Sequence, residues 1–237
     1  MHRYRITGIV LLALALQASL ASSAVVTIRT GQVAGAPGSC GGADDSFRYY
    51  TPQPSCGLPI LSAPFGPGDF AQACSGPNAT VITPAAPPWA LDLPCDPAAR
   101  WIASTVSPGS CYGSPLSALY CAQFPSECAV ADSIRICWSV DDFLGDYAPS
   151  YPGPNPGGIY VNGLDLGPAF SGPGSNPQYT AVAINVPLTV GANSLAVYQR
   201  DAGCGIGGLI LSATIYTSCG VVPVEQSSWG SVKSIFR

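Results

Sequence analysis

Between residues 133 and 140 the chain alternates strictly. Ile134, Ile136, Trp138 and Val140 fall on one side, and Ser133, Arg135, Cys137 and Ser139 on the other. Successive side chains of an extended chain point to opposite faces, so period two predicts a strand with one face buried. The same alternation over 181–188 predicts a strand that turns Val182, Ile184, Val186 and Leu188 inward. Asn162-Gly163 stands between the apolar runs 159–161 and 164–166 and predicts a hairpin, because a two-residue primed turn needs positive φ at both central positions. After a turn at 190–193, residues 194–200 and 208–217 predict two closing strands. The stretch from 25 to about 97 has another texture, with short β-like runs at 25–29, 46–50 and 79–83 between segments rich in Gly, Pro, Ser and Cys. Antiparallel strands with turns at short intervals predict an all-β fold, a two-sheet antiparallel β-sandwich or jelly roll with long loops.

One apolar run does not alternate. Residues 6–20 are apolar, Arg3 and Arg5 precede them, and the small residues Ala21, Ser22, Ser23 and Ala24 follow. This is the pattern of a secretory signal peptide, and the run is too short for a membrane span. The expected division is a signal peptide over 1–24, one β domain over 25–220, and a linker and C-terminal tail over 221–237, with a secreted or cell-surface location. The tail holds the single lysine, Lys233, and ends on Phe236-Arg237. A sorting or anchoring role and a packed or frayed end are both open for it.

Composition supports the β reading. Only 9% of residues are charged, while 27 glycines and 24 prolines cost about 1 and 3 kcal/mol each inside a helix. Removing Arg3 and Arg5 from the nine basic residues leaves seven against thirteen acidic ones, which argues against nucleic acid as a partner. The single histidine, His2, lies in the signal segment. The remaining chain therefore holds no Ser-His or Cys-His pair and no histidine ligand for zinc or haem.

Ten cysteines follow the signal segment: Cys40, Cys56, Cys74, Cys95, Cys111, Cys121, Cys128, Cys137, Cys204 and Cys219. In an oxidising compartment disulfides are their default state. Proximity along the chain suggests Cys40 with Cys56 and Cys74 with Cys95; Cys137, on the polar side of its strand, is placed to reach Cys204. Cys111, Cys121 and Cys128 crowd one long connection. No Cys-x-x-Cys pair points to a metal cluster.

A series of motifs, in order, resembles the galactose-binding-domain-like β-sandwich of secreted bacterial carbohydrate-binding-like domains: Ala99-Arg-Trp-Ile102, Ile136-Cys-Trp-Ser-Val-Asp-Asp142, Gly158-Ile-Tyr-Val-Asn-Gly163, Leu188-Thr-Val-Gly-Ala-Asn-Ser-Leu195 and Gly207-Gly-Leu209. The resemblance covers residues 99–217. It implies a non-catalytic module for which carbohydrate is the first ligand class, with no organic cofactor, and a structural calcium for which Asp141, Asp142 and Asp146 are the first ligands to consider. The alternative is a structural or adhesive surface protein that recognises protein. A glycoside hydrolase would need two carboxylates held across a cleft, yet the only glutamates are Glu127 and Glu225. A saccharide is held by flat aromatic faces and by polar groups for its hydroxyls. Tyr49, Tyr50, Trp89, Tyr147 and Tyr151, in or near loops, are the candidate ligand-binding residues, whereas Trp101 and Trp138 sit in strand-like stretches and are expected in the core.

Overall fold

Ile134, Ile136, Trp138 and Val140 are all buried, and the residues between them face the opposite side of the strand predicted over 133–140. In the computed structural model, which describes residues 22–52, 56–84, 89–147, 150–174 and 178–219, Ser23–Cys219 forms one compact unit. The expected signal segment up to residue 21 and the expected tail lie outside the described residues.

The strands are, in chain order, β1 (Ser22–Arg29), β2 (Gln32–Val33), β3 (Ala36–Pro37), β4 (Ala43–Tyr50), β5 (Asn78–Val81), β6 (Ile102–Ala103), β7 (Ala118–Ser126) and β8 (Val130–Asp141). Then come β9 (Phe143–Leu144), β10 (Ile159–Val161), β11 (Leu164–Asp165), β12 (Gly172–Pro173), β13 (Tyr179–Pro187), β14 (Gly191–Arg200) and β15 (Gly208–Cys219). Among the described residues one curled sheet runs β11-β10-β14-β7-β4-β5-β6-β15-β8-β13. In addition β1 pairs with β15, and β9 lies between β12 and β14. The long pairings β7–β14, β8–β15 and β8–β13 are antiparallel. The hairpin at Asn162-Gly163 forms as expected, with φ of 50° and 80° at the two turn residues.

Curling brings one face of every long strand together. Phe47, Tyr120, Phe124, Val161, Leu195 and Val197 meet Ile102, Ile134, Ile136, Trp138, Leu211 and Ile215 in a single central core. Two smaller clusters cover the outer faces. One places Trp89, Leu93, Ala99 and Trp101 over Cys137 and Ile210; the other places Ile60, Phe65, Phe70 and Ala73 over Leu119, Cys121, Ala196 and Tyr198. The last half of β8 is therefore buried on both faces.

Three sequence expectations need correction. The inward face of β13 is inverted over its first half: Ala181 and Ala183 pack against the core, and Val182 and Ile184 are 54% and 70% exposed. Tyr179 fixes that phase, because it lies opposite Trp138 and stacks on it at 5.9 Å. At Asn185 the backbone takes φ 53°, and beyond it Val186 and Leu188 are buried as expected. A helix, α1 (Pro67–Ser75), was not expected at all. Proline at its start and Asp69, which accepts the Gly66 N–H at 2.8 Å, open it.

The third correction is the disulfide pairing. The bridges are Cys40–Cys111, Cys56–Cys204, Cys74–Cys121 and Cys128–Cys219, spanning 47 to 148 residues, while Cys95 and Cys137 are free thiols. Nearness along the chain fails as a guide because sheet order sets nearness in space: Cys74 on α1 lies over β7 and meets the outward-facing Cys121. Each bridge contributes about 2–4 kcal/mol by restricting the unfolded chain. The four bridges also point to an oxidising environment.

Candidate functional site

The turn leaving β8 gathers most of the predicted site residues, because Asp141, Asp142, Asp146, Tyr147 and Tyr151 follow one another within eleven positions. β9 fixes its course by pairing Phe143 with Arg200 and Leu144 with Gln199 of β14. The peptide bond between Asp141 and Asp142 is cis.

Each carboxylate has a different neighbourhood. Asp142 Oδ2 accepts the N–H groups of Ala202 and Gly203 at 2.8 and 2.9 Å, clamping the β14–β15 loop to the turn. Asp141 is 8% exposed; burial, then the charge of Asp142, pushes its carboxyl up to about 8. The neighbouring Asp142 carboxylate therefore favours the protonated form of Asp141. Gln199 Nε2 donates to the Asp141 carbonyl at 2.6 Å. Asp201, pushed up to about 6 by burial, accepts the Cys204 N–H at 3.0 Å.

Asp146 points into the protein. Its Oδ1 accepts from Arg200 at 2.7 Å and from the Tyr198 hydroxyl at 3.0 Å, and its Oδ2 accepts the Asn155 N–H at 2.9 Å. Gly153 leaves room for this knot, since a Cβ there would overlap the carboxylate. Of the three carboxylates considered for calcium, that of Asp146 is paired with the Arg200 guanidinium, and among the described residues no group of three His, Cys, Asp or Glu side chains is arranged to hold a metal ion.

The predicted aromatics separate into two kinds. Tyr49 packs against the central core, Tyr50 against the cluster under α1, and Trp89, 6% exposed, stacks on Trp101 at 4.2 Å. These three hold loops and strands together. Tyr147 and Tyr151 instead meet at the surface around Phe143, with ring centroids 5.2 and 5.1 Å from it and interplanar angles of 7° and 38°. Tyr151 is 37% exposed, and neither tyrosine belongs to a core cluster. Sequence reasoning missed Phe143, although its place directly after Asp142 was a usable signal.

A separate groove of about 560 Å³ lies beside α1, lined by Phe65, Phe70, Gln123, Asn162, Asn193 and Ser194. Its polar groups are largely spent: Asn162 Nδ2 donates to Asn193 Oδ1 at 2.8 Å, and Asn162 Oδ1 accepts the Ser194 N–H. Its two phenyl rings pack edge-on or tilted against Tyr160 and belong to the cluster under α1. The surface stack at Phe143 is the better candidate, since its rings are not consumed by a core.

No protein-family model and no curated protein matches the chain. Among solved structures it is similar to the crystal structure of a GH26-CBM35 β-(1,4)-mannanase from Podospora anserina, at 13% identity and a TM-score of 0.33. The match covers 76% of this chain, which spans about 29% of the mannanase.

Proposed function

We propose that this chain is a secreted, non-catalytic carbohydrate-binding module that holds a saccharide against the Phe143, Tyr147 and Tyr151 rings. The observation that carries the reading is the three-ring surface stack, with one ring 37% exposed, directly beside a carboxylate fixed by two backbone N–H groups. Flat rings take the C–H face of a pyranose, and a positioned carboxylate accepts its hydroxyls. Within the curled sheet we read two facing layers, β11-β10-β14-β7-β4-β5 and β6-β15-β8-β13, joined where β5 meets the two-residue β6. That makes the β8–β9 turn a loop at one end of a sandwich.

Electrophoresis of the full chain in native gels cast with soluble β-mannan, xylan, β-glucan or galactan tests the reading. Retardation in at least one gel, weakened about tenfold or more by Tyr151→Ala, is the expected result. Unretarded migration in all four removes the reading, and shortening of the retained polysaccharide moves it to a hydrolase. A second reading, a surface protein that recognises protein, is favoured by the exposed Val182 and Ile184 on β13, the last strand of the sheet. It predicts concentration-dependent self-association or capture of a protein partner, either one weakened by Ile184→Lys.

A further inference from the structure

Eight of the ten cysteines are cross-linked, and the two that remain line one small cavity. We propose that Cys95 and Cys137 are an oxidation site that takes a fifth disulfide and clamps the segment 89–100 onto the outer face of β8.

The two thiols line one small cavity together with Arg135, Ser212 and Thr214. Neither is placed by chance. Cys137 projects from the outer face of β8 between Thr180 of β13 and Ser212 of β15, and the Thr180 hydroxyl lies 3.5 Å from its sulfur. Cys95 is carried by a loop that is pinned on both sides. Its own N–H donates to Gln178 Oε1 at 3.4 Å, and the next residue, Asp96, accepts from Arg29 at 2.8 Å and from Ser212 at 2.7 Å. Asp96 is thus tied to β1 and β15 at once, which holds Cys95 over β8.

Oxidation needs an acceptor, and its class is a disulfide, either a small one such as oxidised glutathione or an oxidised dithiol protein. A thiolate of the pair attacks the acceptor, forming a mixed disulfide and releasing one acceptor thiol. The second protein sulfur, deprotonated, then attacks its neighbour's sulfur, so that the Cys95–Cys137 bond forms and the second acceptor thiol leaves. Burial pushes the Cys95 thiol up to about 12, with Arg135 opposing, so little thiolate is present at neutral pH. The cross-link reaches beyond the loop, because the same segment carries Trp89, which is buried and stacks on Trp101.

The test counts thiols in the full chain after export to an oxidising compartment, with a maleimide added in denaturant and no reductant. The expected result is no labelled cysteine, with peptide mapping recovering a fragment linked through Cys95 and Cys137. Cys95→Ser should gain one label, at Cys137, and keep the other four bridges. Two labels on the wild-type chain, at Cys95 and Cys137, that persist after refolding with oxidised glutathione overturn the proposal. A fragment linking either residue to another cysteine overturns it as well.

Discussion

At the residue scale, charge in this protein is scarce, and five charged residues, Asp44, Asp141, Asp146, Arg200 and Asp201, are buried. Arg200 and Asp146 form an ion pair with side chains 3% and 0% exposed, with the Tyr198 hydroxyl, the Asn155 N–H and the Gly57 carbonyl as further partners. Removing one partner strands the other in low dielectric, so Asp146→Asn should cost about 3–5 kcal/mol in urea unfolding. A loss below about 1 kcal/mol would mean that water reaches the pair. Asp141 behaves in the opposite sense. Its folded value near 8 lies above the ordinary 3.8, so between those pH values the folded chain holds a proton that the unfolded chain has released. The contribution of this group is fully present below about pH 3.8 and is lost as pH rises through 8. Asp141→Asn, which mimics the protonated acid, should therefore raise the thermal midpoint relative to wild type progressively from pH 4 to pH 8. An offset that stays constant with pH would contradict the assignment.

At the scale of elements, β8, the Asn162-Gly163 hairpin, β14 and β15 were legible because period two and a two-residue turn are local properties of the chain. The phase of β13 was not. Val182, Ile184, Val186 and Leu188 look like one inward face, but the stacking of Tyr179 on Trp138 sets the first half the other way and Asn185 resets it. That backbone costs a side chain without local hydrogen bonding about 1 kcal/mol, whereas glycine adopts it freely. Asn185→Ala should lower stability by about that amount and Asn185→Gly by much less; equal losses would assign the effect to the asparagine side chain. Helix α1 escaped notice because nine residues with a glycine inside and one buried alanine carry no readable stripe. What marks it is its covalent tie to β7 through Cys74–Cys121, and that contact is not local.

At the scale of the molecule, three clusters of buried residues and four long-range bridges hold loops that have little secondary structure of their own. The disulfide pairing was illegible for the same reason as the β13 phase: strand order decides which cysteines meet. The candidate site was half legible. Tyr147 and Tyr151 stood out by their loop positions, and Asp142 only as a calcium ligand, whereas Tyr49, Tyr50 and Trp89 resemble the two tyrosines in sequence but are spent on packing, a distinction that only burial makes. The account stands on the aromatic cluster at the β8–β9 turn, where Tyr151 is 37% exposed. Its most direct test is retention of the fully oxidised chain on a glycan array, compared with the Phe143→Ala and Tyr151→Ala variants at matched folding. Selective retention of one glycan class by the wild-type chain, lost in both variants, is the predicted result; retention that survives both substitutions, or an array with no retained glycan, contradicts it.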